Sequence, residues 1–152
     1  MSGYPDAIGP AKVVERELER AEALMQRLDE LSREQQQMIE RDDLESVLGV
    51  MPEREQLVSK LGGHATSLEK CLGELGSGDA ADESHALRAR ADALAALASD
   101  VLLRDATHQR ALEARRDDAA AALTRVSSGR GALRAYSGGS KREAPRFQDR
   151  QG

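Results

Sequence analysis

The stretch KVVERELERAEALMQRLDELSREQQQMIER, residues 12–41, decides the fold. Neither Gly nor Pro interrupts it. Val14, Leu18, Ala21, Met25 and Leu28 alternate at spacings of four and three, which lays them along one seam of a helix. Leu24, Leu31 and Met38 form a second stripe beside that seam, and Ser32 and Gln35 interrupt it before Ile39. A helix of this length spans about 45 Å. Upstream, Gly3, Pro5, Gly9 and Pro10 punctuate a start expected to be disordered over residues 1–11, with Pro10 placed to open the helix.

Downstream, Asp42 and Asp43 precede Glu45, a capping-box-like pattern that predicts a restart or a kink. A further stripe follows: Leu44, Leu48, Met51, Arg54, Val58, Leu61, Ala65, Leu68, Leu72 and Leu75. It survives across Pro52, so the spacing predicts one helix over 43–75, kinked near that proline. Gly62-Gly63 weakens this helix or marks a close approach of a second one. The glycines of 73–79 break the chain, and Asp82 or Ser84 is placed to cap the next helix.

The last long helix is expected over 84–126. Its stripe runs through Leu87, Ala91, Leu94, Leu97, Ala98 and Val101, meets Asp105 and His108, then thins through Leu112, Ala119, Ala122 and Val126. Gly129, Gly131, Gly138, Gly139 and Pro145 predict a flexible tail over 127–152. The fold class is therefore all-α: an elongated antiparallel helical hairpin or three-helix bundle with coiled-coil-like packing, occupying 12–126, and a disordered C-terminal tail.

Composition agrees with thin helix–helix seams. The chain has 152 residues, one Phe, two Tyr and no Trp, so burial falls to Leu, Ala, Val and Met. Residues 1–126 hold 16 Lys/Arg against 25 Asp/Glu, whereas 127–152 hold 6 against 2. An acidic body argues against nucleic acid as a partner, because phosphate binding needs clustered cations. No signal peptide and no membrane-length apolar run is found, so a cytoplasmic location without membrane insertion is expected. Cys71 is the single cysteine, which leaves no partner for an internal disulfide.

Nothing in the sequence points to catalysis, a metal or a cofactor. His64, His85 and His108 make no metal-type pattern, and Gly-Ser-Gly at 76–78 lacks the Lys-Ser/Thr and the strand of a phosphate loop. Cys71 reads as a small hydrophobe on a helix flank. Glu15, Glu19 and Glu22 interleaved with Arg16, Arg20 and Arg27 read as pairing within one solvated helix face.

What the chain does carry is apolar helix surface that must be covered. Leu94, Leu97, Val101, Leu102, Leu103, Leu112 and Leu123 spread around more than one side of the third helix. A helix apolar on two sides has two neighbours. These are either the chain's own helices or one of them is a partner helix in a groove. Met25, Met38 and Met51 read first as core and second as adaptable contacts.

Residues 24–72 carry a resemblance to a known family. Glu34-Gln35 forms a polar turn, Asp43-Leu44-Glu45 with Val47-Leu48 a short joint, and Arg54-Glu55-Gln56-Leu57-Val58 with Leu61 opens a second helix. In these motifs the chain resembles the FlgN-type flagellar export chaperones, which are similar in architecture to the FliT type. Tyr136 with Gly138-Gly139 is similar to the family's tail, whereas the basic end at 145–152 departs from it. The resemblance implies a chaperone that is no enzyme. It would bind the C-terminal helical segment of hook–filament junction proteins and deliver them to the export machinery. The family's binding helix maps onto 84–126. The expected partner-binding residues are Leu94, Leu97, Val101, Leu102, Leu112, Leu123 and Val126, with Tyr136 and Phe147 of the tail. The competing reading is a structural coiled coil, as a homodimer or an assembly subunit, with no client.

Overall fold

The computed structural model describes residues 8–75 and 81–139, and these are all-α, with no strand among them. The helices are α1, Pro10–Glu40; α2, Leu44–Glu74; and α3, Ala81–Gly139. The chain divides into two compact units, residues 1–110 and 111–152. Residues of all three helices lie in the first unit, and α3 continues into the second.

α1 opens with Pro10 in its first turn, where the missing N–H costs no helical hydrogen bond. The amides of Lys12 and Val13 bond the Gly9 carbonyl. Its buried residues are Val14, Leu18, Ala21, Met25, Leu28, Leu31, Ser32, Gln35 and Ile39. That is the seam read from the sequence, polar interruptions included, joined by Leu31 from the second stripe.

A three-residue joint follows. The Asp42 amide bonds the Ile39 carbonyl at 3.0 Å and the Asp43 amide bonds the Met38 carbonyl at 2.8 Å, with Asp42 at φ 61°. This is the paired closure of a left-handed C-terminal cap, here using Asp rather than Gly. Asp43 then caps α2 through its carboxylate, which accepts from the Ser46 amide (3.1 Å) and hydroxyl (2.6 Å). These bonds, the hydroxyl first, hold the Asp43 carboxyl below its usual range. The cap therefore lies one residue later than the Asp42–Glu45 pattern predicts. The break also sits here and not at Pro52, which lies inside α2. Pro52 removes the donor for the carbonyl of Leu48, a residue exposed to solvent.

The α2 stripe read from the sequence meets α1 in its second half, where Leu61 and Leu72 pack against the cluster that buries Leu68 and Leu75, but not in its first half. Val47, Leu57 and Leu68 are buried in α2, and Leu75 just after it. Leu44, Leu48, Met51, Val58 and Ala65 are exposed, with Leu48 at 71%. α2 is apolar on two faces, and four–three spacing alone does not say which one meets α1.

Within the first unit, α3 follows its expected stripe. Leu87 joins Val14, Leu18, Ala21, Leu68 and Leu75 in one core cluster, and Val101 joins Met25, Leu28, Leu31 and Leu57 in another. α3 therefore runs in the same direction as α1 and opposite to α2. Asp82 and Ser84 lie inside its first turn, so neither is the expected cap, and Asp82 with Glu83 faces the helix dipole favourably instead.

In the second unit, residues 111–139 are helical, and every residue from 116 to 138 is exposed. The break expected at Ser127 does not occur. Gly129 and Gly131 each cost about 1 kcal/mol against Ala, which weakens a helix without ending it. Many helices end at a left-handed glycine, and no described glycine has positive φ. Of the tail expected over 127–152, residues 140–152, Phe147 among them, lie outside the described residues. So do residues 1–7 and the remaining glycines of the predicted break, Gly76 and Gly78.

Candidate protein-docking groove

α1 is tied to both neighbours by charge. Toward α2, Arg27 makes a two-pronged pair with Glu53 (2.7 and 3.1 Å), and His64 Nδ1 donates to Glu17 Oε2 at 2.6 Å. Toward α3, Arg90 grips Glu22 (3.0 and 2.9 Å) and Arg104 donates to Asp29 at 2.9 Å. The hydrogen bond from Arg104 holds the Asp29 carboxyl below its usual range, as the Arg27 bond does for Glu53. Glu22 and Arg27 thus serve interhelical pairs, and the reading of that charged face as purely intrahelical is corrected. Charges spaced for pairing along one helix are equally placed to reach a neighbour.

The polar interruptions of the three stripes meet in one layer. Arg54 of α2 donates to Gln35 Oε1 of α1 at 2.9 Å and pairs closely with Asp105 of α3. Ser32 Oγ lies 3.5 Å from the other Asp105 oxygen, and Gln35 Nε2 reaches Met51 Sδ at 3.6 Å. His108 is buried beside this layer, and its Nε2 has no hydrogen-bond partner among the described residues. Burial lowers the affinity of its ring for a proton. Arg104 and Arg54 act in the same direction, while Asp105 and Glu40 oppose it.

Between α2 and α3 lies an open apolar groove of about 620 Å³. Ala21 and Met25 of α1 line its floor. One wall is Val58, Leu61, Gly62, Ala65, Leu68, Glu69 and Leu72 of α2; the other is Ala91, Leu94, Ala95 and Ala98 of α3. A smaller hollow of about 170 Å³ shares Met25, Val58, Leu61 and Ala98 and continues past Leu102 to Arg54 and Asp105. The two walls bridge directly at the ends: the Arg54–Asp105 pair at one, and Arg88 donating to the Leu75 carbonyl at 3.2 Å at the other. These polar bridges bound an interval that the described side chains leave uncovered.

Gly62 and Gly63 do not mark a close helix approach, since a Cβ at either would meet nothing within 4 Å. Gly62 instead opens the groove wall. Gly62, Ala65, Ala91, Ala95 and Ala98 interrupt the larger residues of the walls, and the volume they leave suits large side chains from outside.

The expected partner-binding residues separate into groups. Leu94 lines the groove, and Leu102 lines its continuation and is exposed. Leu97 is half-buried and faces a different hollow, beside Glu22 and Gln26 of α1. Val101 is 2% exposed and belongs to the core. It lies on the side of α3 that meets α1 and borders the smaller hollow from within the core. Leu112 is half-buried, while Leu123, Val126 and Tyr136 are exposed in the second unit. The α2 wall was absent from the expected set, although its signal, Val58–Leu61–Ala65–Leu68–Leu72, was present as a stripe.

Among the described residues no cluster of His, Cys, Asp and Glu is arranged to hold a metal ion. No described helix is long and apolar enough to cross a membrane. Comparison of the chain with protein-family models, with curated proteins and with solved structures finds no match.

Proposed function

We propose that this chain is a protein-binding module that holds an amphipathic helix of a client in the α2/α3 groove. In this reading it works as a cytoplasmic export chaperone of the FlgN type, taking the C-terminal helical segment of hook–filament junction proteins to the export machinery. The observation that carries the binding reading is the uncovered apolar groove itself. Burying a Leu-sized side chain there contributes about 1.5–3 kcal/mol, so a few anchors reach micromolar affinity. The flagellar setting is supported by the resemblance over residues 24–72. The reading gives the chain no catalytic role.

Hydrogen–deuterium exchange with and without the C-terminal segment of a junction protein tests this. New protection over 58–72 and 91–105 is expected. Unchanged exchange there with every junction segment tried would remove the chaperone reading.

A second reading, a self-associating coiled coil, is favoured by Leu112, Ala119, Val126 and Leu133, which recur every seven residues with the last three exposed. It predicts a concentration-dependent oligomer that is lost when Val126 and Leu133 become Asp.

A further inference from the structure

We propose that the α2/α3 groove selects an amphipathic helix whose apolar face is bordered by lysine or arginine. This rests on the reading of the groove as a docking site for a partner helix. Three carboxylates stand at its edges. Glu69 is part of the α2 wall. Glu55 lies three residues before Val58 and seven before Gly62, which sets it on the same side of α2. Asp92 lies three residues before Ala95 on α3. All three are exposed, and none has an ion-pair partner among the described residues. At the groove's ends Arg54 is paired with Asp105, while Arg88 donates to the neutral Leu75 carbonyl and keeps its charge. Along the edges between those ends, what an incoming helix meets is the three carboxylates.

The interior sets the rest of the partner's chemistry. Between its edges the groove is apolar, so polar groups on the buried face of the partner would lose water without a replacement bond. Small walls at Gly62, Ala65, Ala91, Ala95 and Ala98 leave room for Leu, Met or Phe from the partner. The lined part of α2, from Val58 to Leu72, spans about 21 Å, or four helical turns.

Two synthetic peptides of about four turns, identical in a Leu/Phe face but flanked by Lys/Arg or by Glu, test the proposal by fluorescence anisotropy with the full chain. The basic-flanked peptide is expected to bind about ten-fold tighter, the sum of three exposed carboxylates each contributing modestly. The preference should shrink as salt rises and reverse in the triple variant Glu55→Lys, Glu69→Lys, Asp92→Lys. All three positions are exposed, and thermal melts of the variant report its folding. Ala95→Trp, also at an exposed position, should block both peptides. Equal binding of the two peptides, still blocked by Ala95→Trp, would overturn the charge selection while leaving the docking reading intact. If neither peptide binds and sedimentation shows a dimer that Ala95→Trp dissociates, the groove is a self-interface and both readings fall.

Discussion

α1 and α2 are the same length, 31 residues each, yet α1 buries nine residues and α2 three. The difference is not one of apolar content, because α2 is the more apolar of the two along its length. α1 keeps its apolar residues on one seam and meets two neighbours along it. α2 divides its apolar residues between a face that meets α1 and a face that meets nothing among the described residues. A helix that carries two apolar faces and covers one is built for a further neighbour, and the uncovered face of α2 is the groove wall.

The largest effect that sharpens this contrast is on stability. Leu31→Ala in α1, at a side chain with no exposure, should cost about 3–5 kcal/mol in urea unfolding. Leu48→Ala on the open side of α2 should stay within about 0.5 kcal/mol. A comparable loss at both positions would mean that the α2 face is covered in solution.

Next is the bridge between the walls. Arg54→Ala leaves Asp105 half-buried beside Ser32 alone and should cost about 2 kcal/mol. The double change Arg54→Met, Asp105→Leu should recover most of that loss, because it removes both charges.

Backbone changes on α2 run the other way. Pro52→Ala should stabilise by about 1–3 kcal/mol, by restoring the bond to the Leu48 carbonyl. Gly63→Ala should add about 1 kcal/mol, since the added methyl meets nothing. A loss on either change would show that the irregularity of α2 supports packing.

The smallest effect is titration of His108. Burial lowers its pKa in the folded chain, so the unfolded chain takes up the proton first. Its contribution is fully present above the unfolded value of about 6.5, and it is lost as pH falls below that toward the folded value. His108→Leu should flatten this part of the stability–pH curve, measured as urea midpoints at successive pH values. An unchanged curve would mean that the ring is solvated.

How much of this was legible in the sequence differs by helix. The α1 seam was readable in full because it is one-sided, and Ser32 and Gln35 were visible as its gaps. On α2 the stripe holds towards the C-terminal end, where Leu61, Leu68, Leu72 and Leu75 pack on α1, and fails towards the start, where Val47 and Leu57 are buried while Leu44, Leu48 and Met51 stay exposed. The polar layer was visible as three separate interruptions, but Gln35, Arg54 and Asp105 meet only through the register between helices, which no single-helix pattern contains. α3 runs past the glycines that predict its end, because helical φ lets Gly129 and Gly131 stay inside a helix at modest cost. For the site, Leu94 lies in the groove and Leu102 beside the buried Val101 in its continuation, but which side of α3 meets α1 depends on that same register.

The most direct test of the central claim is methyl NMR of the full chain titrated with the basic-flanked amphipathic peptide. Shifts are predicted at the groove methyls of Val58, Leu61, Leu68, Leu72 and Leu94, with little change at Val14, Leu18 and Leu31. Shifts confined to methyls outside the groove, or none at saturating peptide, would contradict the account.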